Sequence, residues 1–342
     1  MKKAIFIFVI IALFCSCGDF LLDENFRGGD WFYLENKGAT MPVWVKGNMQ
    51  SEAFIIFLSG GPGQSSKDEA INNAFKELQK NYAFVYWEQR GSGISQGNTK
   101  PENLTIEQFV EDLEKIIILI QYKYNNPKLF LMGHSWGGTL GIAFLLNQIN
   151  QSNISGWIEI DGGHNVKDGW LLSMEWQMEK ASEQINKGNY VNFWEEEIAW
   201  YKSKPDLSGF DNLDRFSRNV DKLNGYIYNL SNVHEPAISL FFSSFPLFDF
   251  LNQVYLLSNN RFDLQNINLV SEMHKITIPS LILWGRHDGI LPVELAQEAY
   301  DNLDTNINDK HIYIFENSAH SPFLEEPGLF VERIRTFIDK YK

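Results

Sequence analysis

The sequence predicts an α/β fold in which helices cover both faces of a mostly parallel sheet and a helical cap is inserted into the core. Strand-like and helix-like runs alternate over residues 53–160 and again over residues 280–342. The strand-like runs are continuously apolar, as in parallel strands buried on both faces. Between them, residues 162–275 break the alternation and are rich in tryptophan and phenylalanine. We therefore predict a core formed by residues 30–161 and 276–342, with residues 162–275 as the cap.

The predicted elements follow in order along the chain. Residues 30–35 and 41–46 predict an antiparallel pair joined through the turn-forming sequence NKG. The run AFIIFL at residues 53–58 predicts a buried strand, because it is apolar throughout and a pair of glycines follows it. Residues 105–124 predict a long helix, because apolar residues recur there at helical spacing. The other predicted strands are 82–87, 128–132, 154–160, 280–284 and 311–315, and the other predicted helices are 69–80, 139–146, 293–303 and 329–341.

The composition fits a large buried core and excludes one class of partner. Of 342 residues, 44% are apolar and 14% are aromatic, and the formal net charge is −14. A chain this acidic has no surplus of basic residues to neutralise phosphates, so we exclude nucleic acid as a partner. Solubility accounts for the acidity. The sequence does not predict an oligomeric state.

The amino terminus predicts an export signal rather than part of the fold. Two lysines precede an apolar stretch at residues 4–14 that is too short to span a bilayer, and the sequence CSCGD follows. A cysteine after a small residue resembles the bacterial lipoprotein signal, so we predict a signal peptide over residues 1–17 with lipidation of Cys17. This predicts an exported lipoprotein, anchored in a membrane of the cell envelope on its periplasmic or surface face. Ordinary secretion and an uncleaved anchor are the alternatives.

The cysteine content bears on disulfides and metals. Both cysteines of the chain lie in the predicted signal segment. The mature protein would therefore hold no disulfide pair despite export. Zinc sites built from cysteine are excluded as well.

The sequence GHSWGG at residues 133–138 predicts a nucleophile at Ser135. It follows the apolar strand at 128–132 and precedes a helical run, which is the context of a nucleophile elbow. Glycines at 133 and 137 would relieve clashes in so sharp a turn. The pattern alone is a weak signal, and a glycine-rich turn without chemistry is the alternative.

A serine nucleophile needs a base, and the base needs an orienting acid. His320 follows the last predicted strand, in a loop that opens on the same sheet edge as Ser135, and we predict it as the base. His134 is set aside, because its side chain is expected to point away from the site. Asp288, in a tight turn after the strand at 280–284, is the favoured acid. Asp161, after the preceding core strand, remains the rival acid, and a helix-capping role for Asp288 is the structural alternative.

An acyl-transfer intermediate also needs two N–H donors for its oxyanion. We predict one at Trp136, at the amino end of a helix. The other is predicted at Gly61 in the loop SGGPG, because Pro62 has no N–H and glycine lets the backbone approach the substrate closely.

Five motifs in order resemble the prolyl iminopeptidase branch of the α/β-hydrolase fold. They are SGGPG at 59–63, WEQRGSG at 87–93, GHSWGG at 133–138, GRHD at 285–288 and AHSP at 319–322. The resemblance covers roughly residues 30–160 and 275–342. It implies release of an N-terminal residue, often proline, from a short peptide, with no cofactor and no metal. It also implies Ser135 as nucleophile with Asp288 and His320 as partners, and Gly61 and Trp136 as the oxyanion hole.

The chain departs from that family in three places. Ser59 stands where the family usually has histidine, and Glu88 where it has aspartate. The family's cap glutamates, which hold the substrate's ammonium group, have no aligned counterpart here. The candidates for that role are Glu175, Glu179, Glu195 and Glu235, with a solvent-exposed helix face as the alternative for each.

Three functions remain open from the sequence. The first is an exported aminopeptidase for short peptides that begin with proline or another apolar residue, with aromatic cap residues walling an apolar pocket. The second is a carboxylic-ester or lactone hydrolase with the same triad. The third is a ligand-binding surface lipoprotein without catalysis. A carboxylate in the cap that faces Ser135 would favour the first.

Overall fold

A computed structural model describes residues 29–207, 209–233 and 264–342. The predicted signal peptide, its Cys17 and the cap residue Glu235 lie outside the described residues. Within the described ranges, no helix combines the length and the apolar character that crossing a bilayer requires.

Nine strands in the described part of the chain form one sheet. They are β1 Asp30–Asn36, β2 Ala39–Gly47, β3 Ala53–Leu58, β4 Ala83–Trp87, β5 Gln96–Gly97, β6 Lys128–His134, β7 Gly156–Ile160, β8 Ser280–Gly285 and β9 Lys310–Phe315. The spatial order is β1-β2-β4-β3-β6-β7-β8-β9, and the short β5 pairs with β2. β2 is antiparallel to both β1 and β4, whereas all neighbours from β4 to β9 run parallel. The predicted mostly parallel sheet is confirmed.

Helices cover both faces of this sheet. The core helices are α1 Lys67–Ile71, α2 Asn73–Gln79, α3 Ile106–Lys123, α4 Trp136–Leu145, α5 Gln148–Gln151, α9 Glu294–Asn302, α10 Pro322–Glu325 and α11 Pro327–Tyr341. Side chains of the strands alternate between two apolar clusters. Ile56 packs in the cluster that contains α3, α4 and α9, whereas Ile55 and Phe57 pack in the cluster that contains α2 and α11.

The predicted helix at 69–80 is wrong as a single helix. α1 ends at Ile71, and Asn72 adopts an extended conformation with ψ of 145°. The Asn72 side chain accepts the backbone N–H of Ala74 at 2.8 Å and so caps α2. Asparagine favours such local bonds over helix continuation, and apolar periodicity does not detect them.

The chain between β7 and β8 leaves the sheet. Its described part forms α6 Val166–Asn186, α7 Val191–Lys202 and α8 Phe210–Lys222, followed by short 3₁₀ segments. A small apolar cluster with Ala181, Trp194 and Leu223 joins these helices. Because this segment starts at the carboxyl end of β7, it lies over the edge of the sheet where the predicted site residues gather.

Candidate active site

The turn between β6 and α4 holds Ser135 in a strained conformation. Ser135 has φ of 54° and ψ of −118°, a backbone region that residues other than glycine rarely adopt. A Cβ on Gly133 would lie 2.3 Å from the Gly137 carbonyl oxygen, and a Cβ on Gly137 would lie 2.0 Å from that of Leu58. Both glycines are therefore required by close backbone approach, as a nucleophile elbow requires.

Backbone hydrogen bonds fix this turn. The Ser135 N–H donates to the Ile160 carbonyl at 3.0 Å, at the end of β7. The Ser135 carbonyl accepts from Gly138 and from Gly163, each at 2.8 Å. The serine is thus tied both to its own helix and to the start of the segment that leads into α6.

The structure pairs His320 with Asp288. Nδ1 of His320 donates to Oδ2 of Asp288 at 2.7 Å, with both residues buried at 2% and 1% exposure. The other carboxylate oxygen of Asp288 accepts the backbone N–H groups of Ile290 and Leu291 at 2.8 and 3.0 Å. One oxygen therefore stabilises the turn while the other faces the imidazole, so a single side chain makes both contacts.

The loop that carries His320 is held from three sides. The backbone N–H of His320 donates to the Tyr226 carbonyl at 3.2 Å, and that of the preceding residue, Ala319, donates to Oε2 of Glu325 at 2.8 Å. Nε2 of His134 contacts the His320 carbonyl oxygen at 2.8 Å. The imidazole orientation is thereby set by contacts from β6, from α10 and from the segment after α8.

The expectation that His134 points away from the site is wrong. Its ring lies 4.9 Å from the ring of His320 and lines the same cavity. Burial, and then the charge of His320, lower the pKa of His134 to about 3, so the ring is neutral. Since its partner is a carbonyl oxygen, Nε2 carries the proton and donates. A periodic pattern could not reveal this, because the contact joins residues 186 positions apart.

Gly61 and Trp136 line the same cavity as Ser135 and His320. Gly61 has φ of 118°, and a Cβ there would lie 2.5 Å from the backbone nitrogen of Gly63, so only glycine fits. Trp136 begins α4, where backbone N–H groups point out of the helix. The structure thus brings both residues that carry the predicted donors to one cavity.

Glu88 and Gln89, which the sequence indicates only as part of a family motif, form hydrogen bonds with the loop after β3. Oε1 of Glu88 accepts the hydroxyl of Ser65 at 2.8 Å and the N–H of Ser66 at 2.9 Å. Nε2 of Gln89 contacts the hydroxyl of Ser59 at 3.3 Å. The two family departures, at Ser59 and Glu88, therefore both contribute hydrogen bonds to the loop after β3.

A cavity of about 190 Å³ opens above Ser135. Its described lining has no aspartate, glutamate, lysine or arginine, and apolar residues predominate. The lining residues are Gly61, Pro62, Gln64, His134, Ser135, Trp136, Thr139, Gly163, Val166, Trp170, Leu213, Phe216, Ser217, Tyr226, Leu264, Ile290, Leu291 and His320.

The structure does not bring the described cap glutamates to this cavity. Glu175 and Glu179 are exposed on α6, and Glu195 is exposed on α7. Residues four apart share a helix face, and here the face of Glu175 and Glu179 is the solvent face, whereas Ser173 and Gln177 are buried. Their positions do not support a role in binding a substrate's ammonium group, which corrects the expectation for these residues.

Asp161, the rival acid, lies beside the pair without replacing Asp288. Its Oδ1 accepts the N–H of Gly285 at 2.8 Å. Ligand-type atoms of Asp161, Asp288 and His320 lie within 4.8 Å of one another, a spacing that a metal ion could also use. Of these two carboxylates, Asp288 forms the direct bond to Nδ1 of His320.

Comparisons with known proteins place the chain among hydrolases. A sequence model of the alpha/beta hydrolase fold matches residues 54–327. A protein of Bacillus subtilis named as a probable aminopeptidase is 28% identical over 308 residues, covering 85% of this chain and 91% of that protein. A proline iminopeptidase of Saccharolobus solfataricus is 27% identical over 303 residues, covering 86% and 87%. The crystal structure of a proline iminopeptidase from Mycobacterium smegmatis superposes with a TM-score of 0.65 at 15% identity, covering 91% of this chain and 98% of that one. At that identity the last comparison supports the fold alone.

Proposed function

The chain belongs to the alpha/beta hydrolase fold family, and on that premise we propose that it is a serine hydrolase. We propose further that it releases an N-terminal proline or other apolar residue from short peptides through an acyl-enzyme. The observation that carries the proposal is the hydrogen bond from His320 to Asp288 beside a cavity that also contains Ser135. The sequence relatives named as an aminopeptidase and a proline iminopeptidase support the choice of peptide substrates.

The proposed reaction uses each residue in turn. Nε2 of His320 takes the proton of the Ser135 hydroxyl while Oγ attacks the carbonyl carbon of the first residue. Backbone N–H groups of Gly61 and Trp136 stabilise the oxyanion, with the amino end of α4 adding its dipole. His320 then gives its proton to the departing peptide amine, which leaves an ester on Ser135. Water, deprotonated by His320, attacks that ester, and the amino acid departs as Ser135 regains its proton.

The cavity walls support an apolar first residue. Trp170 and Phe216 lie with ring centroids 6.3 Å apart, and Leu213, Val166 and Leu264 complete an apolar wall around the cavity. Burying an aliphatic side chain against such a wall is favourable in proportion to the area removed from water. The volume of about 190 Å³ lies below the roughly 300–1,000 Å³ of typical ligand pockets, which favours a small group in this cavity.

One observation favours a second candidate, an ester or lactone hydrolase. Among the described lining residues, no side chain is a carboxylate that could pair with a substrate's ammonium group. An uncharged acyl group would need no such partner, and the same triad would cleave its ester.

Paired substrates separate the two candidates. We would measure kcat/KM for proline and leucine anilides, for the same anilides with an acetylated amine, and for short-chain nitrophenyl esters, with Ser135→Ala as the control. The aminopeptidase proposal expects turnover of the free-amine anilides and a loss of at least about 100-fold on acetylation, since an aminopeptidase must recognise the free amine and such a loss is a few kcal/mol of transition-state stabilisation. Cleavage of the esters alone would support the second candidate. Retention of the protein's biological role by Ser135→Ala would favour ligand binding without catalysis.

We also propose that the protein is exported and anchored to a membrane by a lipid on Cys17, on the grounds of the amino-terminal sequence. Metabolic labelling with a fatty-acid analogue tests this proposal. Label is expected in the wild type and not in Cys17→Ser, whereas equal label in both would contradict it.

A further inference from the structure

Two buried carboxyl groups lie beside one imidazole in this site. Asp161 follows β7 and Asp288 follows β8, and these strands are neighbours in the sheet. Asp161 is fully buried, and ligand-type atoms of Asp161, Asp288 and His320 all lie within 4.8 Å of one another. Two ionised carboxylates at that separation repel each other strongly where no water screens them, so one of them keeps a proton.

Hydrogen bonds indicate which carboxyl group is ionised. Asp288 accepts three bonds, from His320, Ile290 and Leu291. Asp161 accepts one, from the N–H of Gly285 to Oδ1. Its Oδ2 is buried and meets no donor among the described residues. A charge on Asp161 would leave that oxygen unsolvated, whereas a proton on it would give Asp288 a further donor.

The surrounding ionisable groups favour the same assignment. Glu325 on α10 adds a second negative neighbour, His134 on β6 is neutral, and Tyr226 from the segment after α8 has its pKa raised to about 12. Burial, and then the charge of Asp288, raise the pKa of Asp161 well above its usual range. The imidazole of His320 is already bonded to Asp288.

We propose that Asp161 remains a neutral carboxylic acid at neutral pH and donates a hydrogen bond to Asp288. It is thus a positioning residue that holds the acid of the triad in its ionised form against His320. The inference rests on the proposed function, because it concerns the same acid–base site. Nothing in it requires a particular substrate.

Two substitutions of Asp161 separate the effect of its proton from the effect of its side chain. Asp161 has φ of 43°, which asparagine and glycine tolerate better than other residues. In Asp161→Asn, the amide oxygen can accept from Gly285 while the amide N–H donates to Asp288, so the variant mimics the neutral acid. Asp161→Gly keeps the backbone conformation and removes both bonds.

The measurement is the pH dependence of inactivation by a small fluorophosphonate, which reacts with an activated serine whatever the natural substrate is. We expect Asp161→Asn to keep the midpoint of the acid limb and to react within a few fold of the wild type. We expect Asp161→Gly to react at least about tenfold more slowly, since Asp288 loses a charge-assisted bond. If Asp161 were ionised in the wild type, Asp161→Asn would lower the midpoint by about 1–3 units, because an opposite charge near His320 would be gone. That shift, or equal rates for the two variants, would overturn the proposal.

Two observations keep the test decisive. A wild-type chain that does not react with the probe would contradict the proposed function, whereas a reactive wild type with a shifted Asp161→Asn contradicts only this inference. Should Asp161→Asn fail to fold, the infrared spectrum of Glu325→Gln takes its place, since burial also raises the pKa of Glu325. The carbonyl stretch of a neutral carboxylic acid is expected to persist in that variant at neutral pH, and its absence would overturn the proposal.

Discussion

The indole Nε1 of Trp136 donates a hydrogen bond to Oε1 of Gln89 at 3.0 Å. Nε2 of the same glutamine lies 3.4 Å from the Ser59 carbonyl and 3.3 Å from its hydroxyl. Gln89 is buried, so these bonds join the helix after the nucleophile to the loop after β3 without competition from water. The link therefore connects the helix of one proposed oxyanion donor, Trp136, to the loop that carries the other, Gly61.

Gln89→Leu is expected to lower kcat by at least about tenfold with a smaller effect on KM, because a displaced donor is felt mainly in the transition state. Steady-state kinetics on whichever substrate class is cleaved would measure this. Gln89→Glu keeps the acceptor for Trp136 and loses the donor to Ser59. Its kcat should therefore lie between those of the wild type and Gln89→Leu. Unchanged kcat in Gln89→Leu would show that the link does not position the donors.

Gly137→Ala is expected to destabilise the fold by about 1–3 kcal/mol or to prevent folding, because the new Cβ meets backbone atoms that cannot move aside. The contact is with the carbonyl oxygen of Leu58 at 2.0 Å. Gly328→Ala is the matched control, since a Cβ there meets nothing within 4 Å and the residue lies in the first turn of α11. The control should be neutral or stabilising by up to about 1 kcal/mol. The free energy of unfolding in urea is measured for both variants. Equal values for Gly137→Ala and Gly328→Ala would contradict the close backbone approach at Gly137.

His164 predicts a loss of stability at alkaline pH. Burial alone would lower its pKa, but the charge and hydrogen bond of Glu159 at 2.7 Å and the carboxylate of Glu298 at 3.4 Å outweigh burial and raise the pKa from 6.5 to about 9. Since the folded pKa is the higher one, this contribution is fully present below pH 6.5 and is lost as pH rises towards about 9. This contribution of His164 to the free energy of unfolding is on the order of 3 kcal/mol.

The measurement for His164 is the free energy of unfolding across that pH range. We expect the wild type to lose stability relative to His164→Gln as pH rises, because the variant has no proton to lose there. Parallel pH profiles for the two proteins would refute a charged His164.

His134→Phe is expected to lower kcat/KM by about fivefold, since a net hydrogen bond of about 1 kcal/mol to the loop of His320 is lost. Phenylalanine retains the edge-to-face contact that His134 makes with Phe323 at 5.2 Å, so packing is largely conserved. The variant should keep its melting temperature within a few degrees, and calorimetry checks this. Wild-type activity in a folded variant would mean that the bond does not orient the base.

Phe216→Leu is expected to change substrate choice rather than chemistry, because it shortens one wall of the cavity. Turnover of the smallest apolar first residue should fall and that of a larger one should rise, each by about 10-fold, the value of one or two methylene contacts. Phe193→Leu, in the small cluster between the cap helices, is the control and should leave the ratio unchanged. If Phe216→Leu left the ratio of the turnover of the larger to that of the smallest first residue unchanged, the cavity would not bind the first residue of the substrate.

The sequence predicts the strands better than the contacts between loops. Residues 53–58 are apolar throughout and form β3 with those bounds, because burial on both faces leaves a strong signal. The motif at 133–138 and the loops of Asp288 and His320 were identified because parallel topology brings strand ends to one edge. The break at Asn72 was missed, because a single side-chain bond decides it.

The finer arrangement of the site depends on tertiary contacts that no local pattern encodes. Asp288 rather than Asp161 bonds to the imidazole of His320 through a contact between loops, and the inward turn of His134 accompanies a bond to a distant carbonyl. Helical spacing shows that Glu175 and Glu179 share a face but not that the face meets solvent.

The proposed triad is tested most directly by intact-mass analysis and peptide mapping after reaction with a fluorophosphonate. We predict one phosphonyl adduct, located on Ser135, absent in Ser135→Ala, and formed at least about 1000-fold more slowly in His320→Gln, in line with loss of the base from a triad. An adduct on another residue, or Ser135→Ala reacting at the wild-type rate, would contradict it.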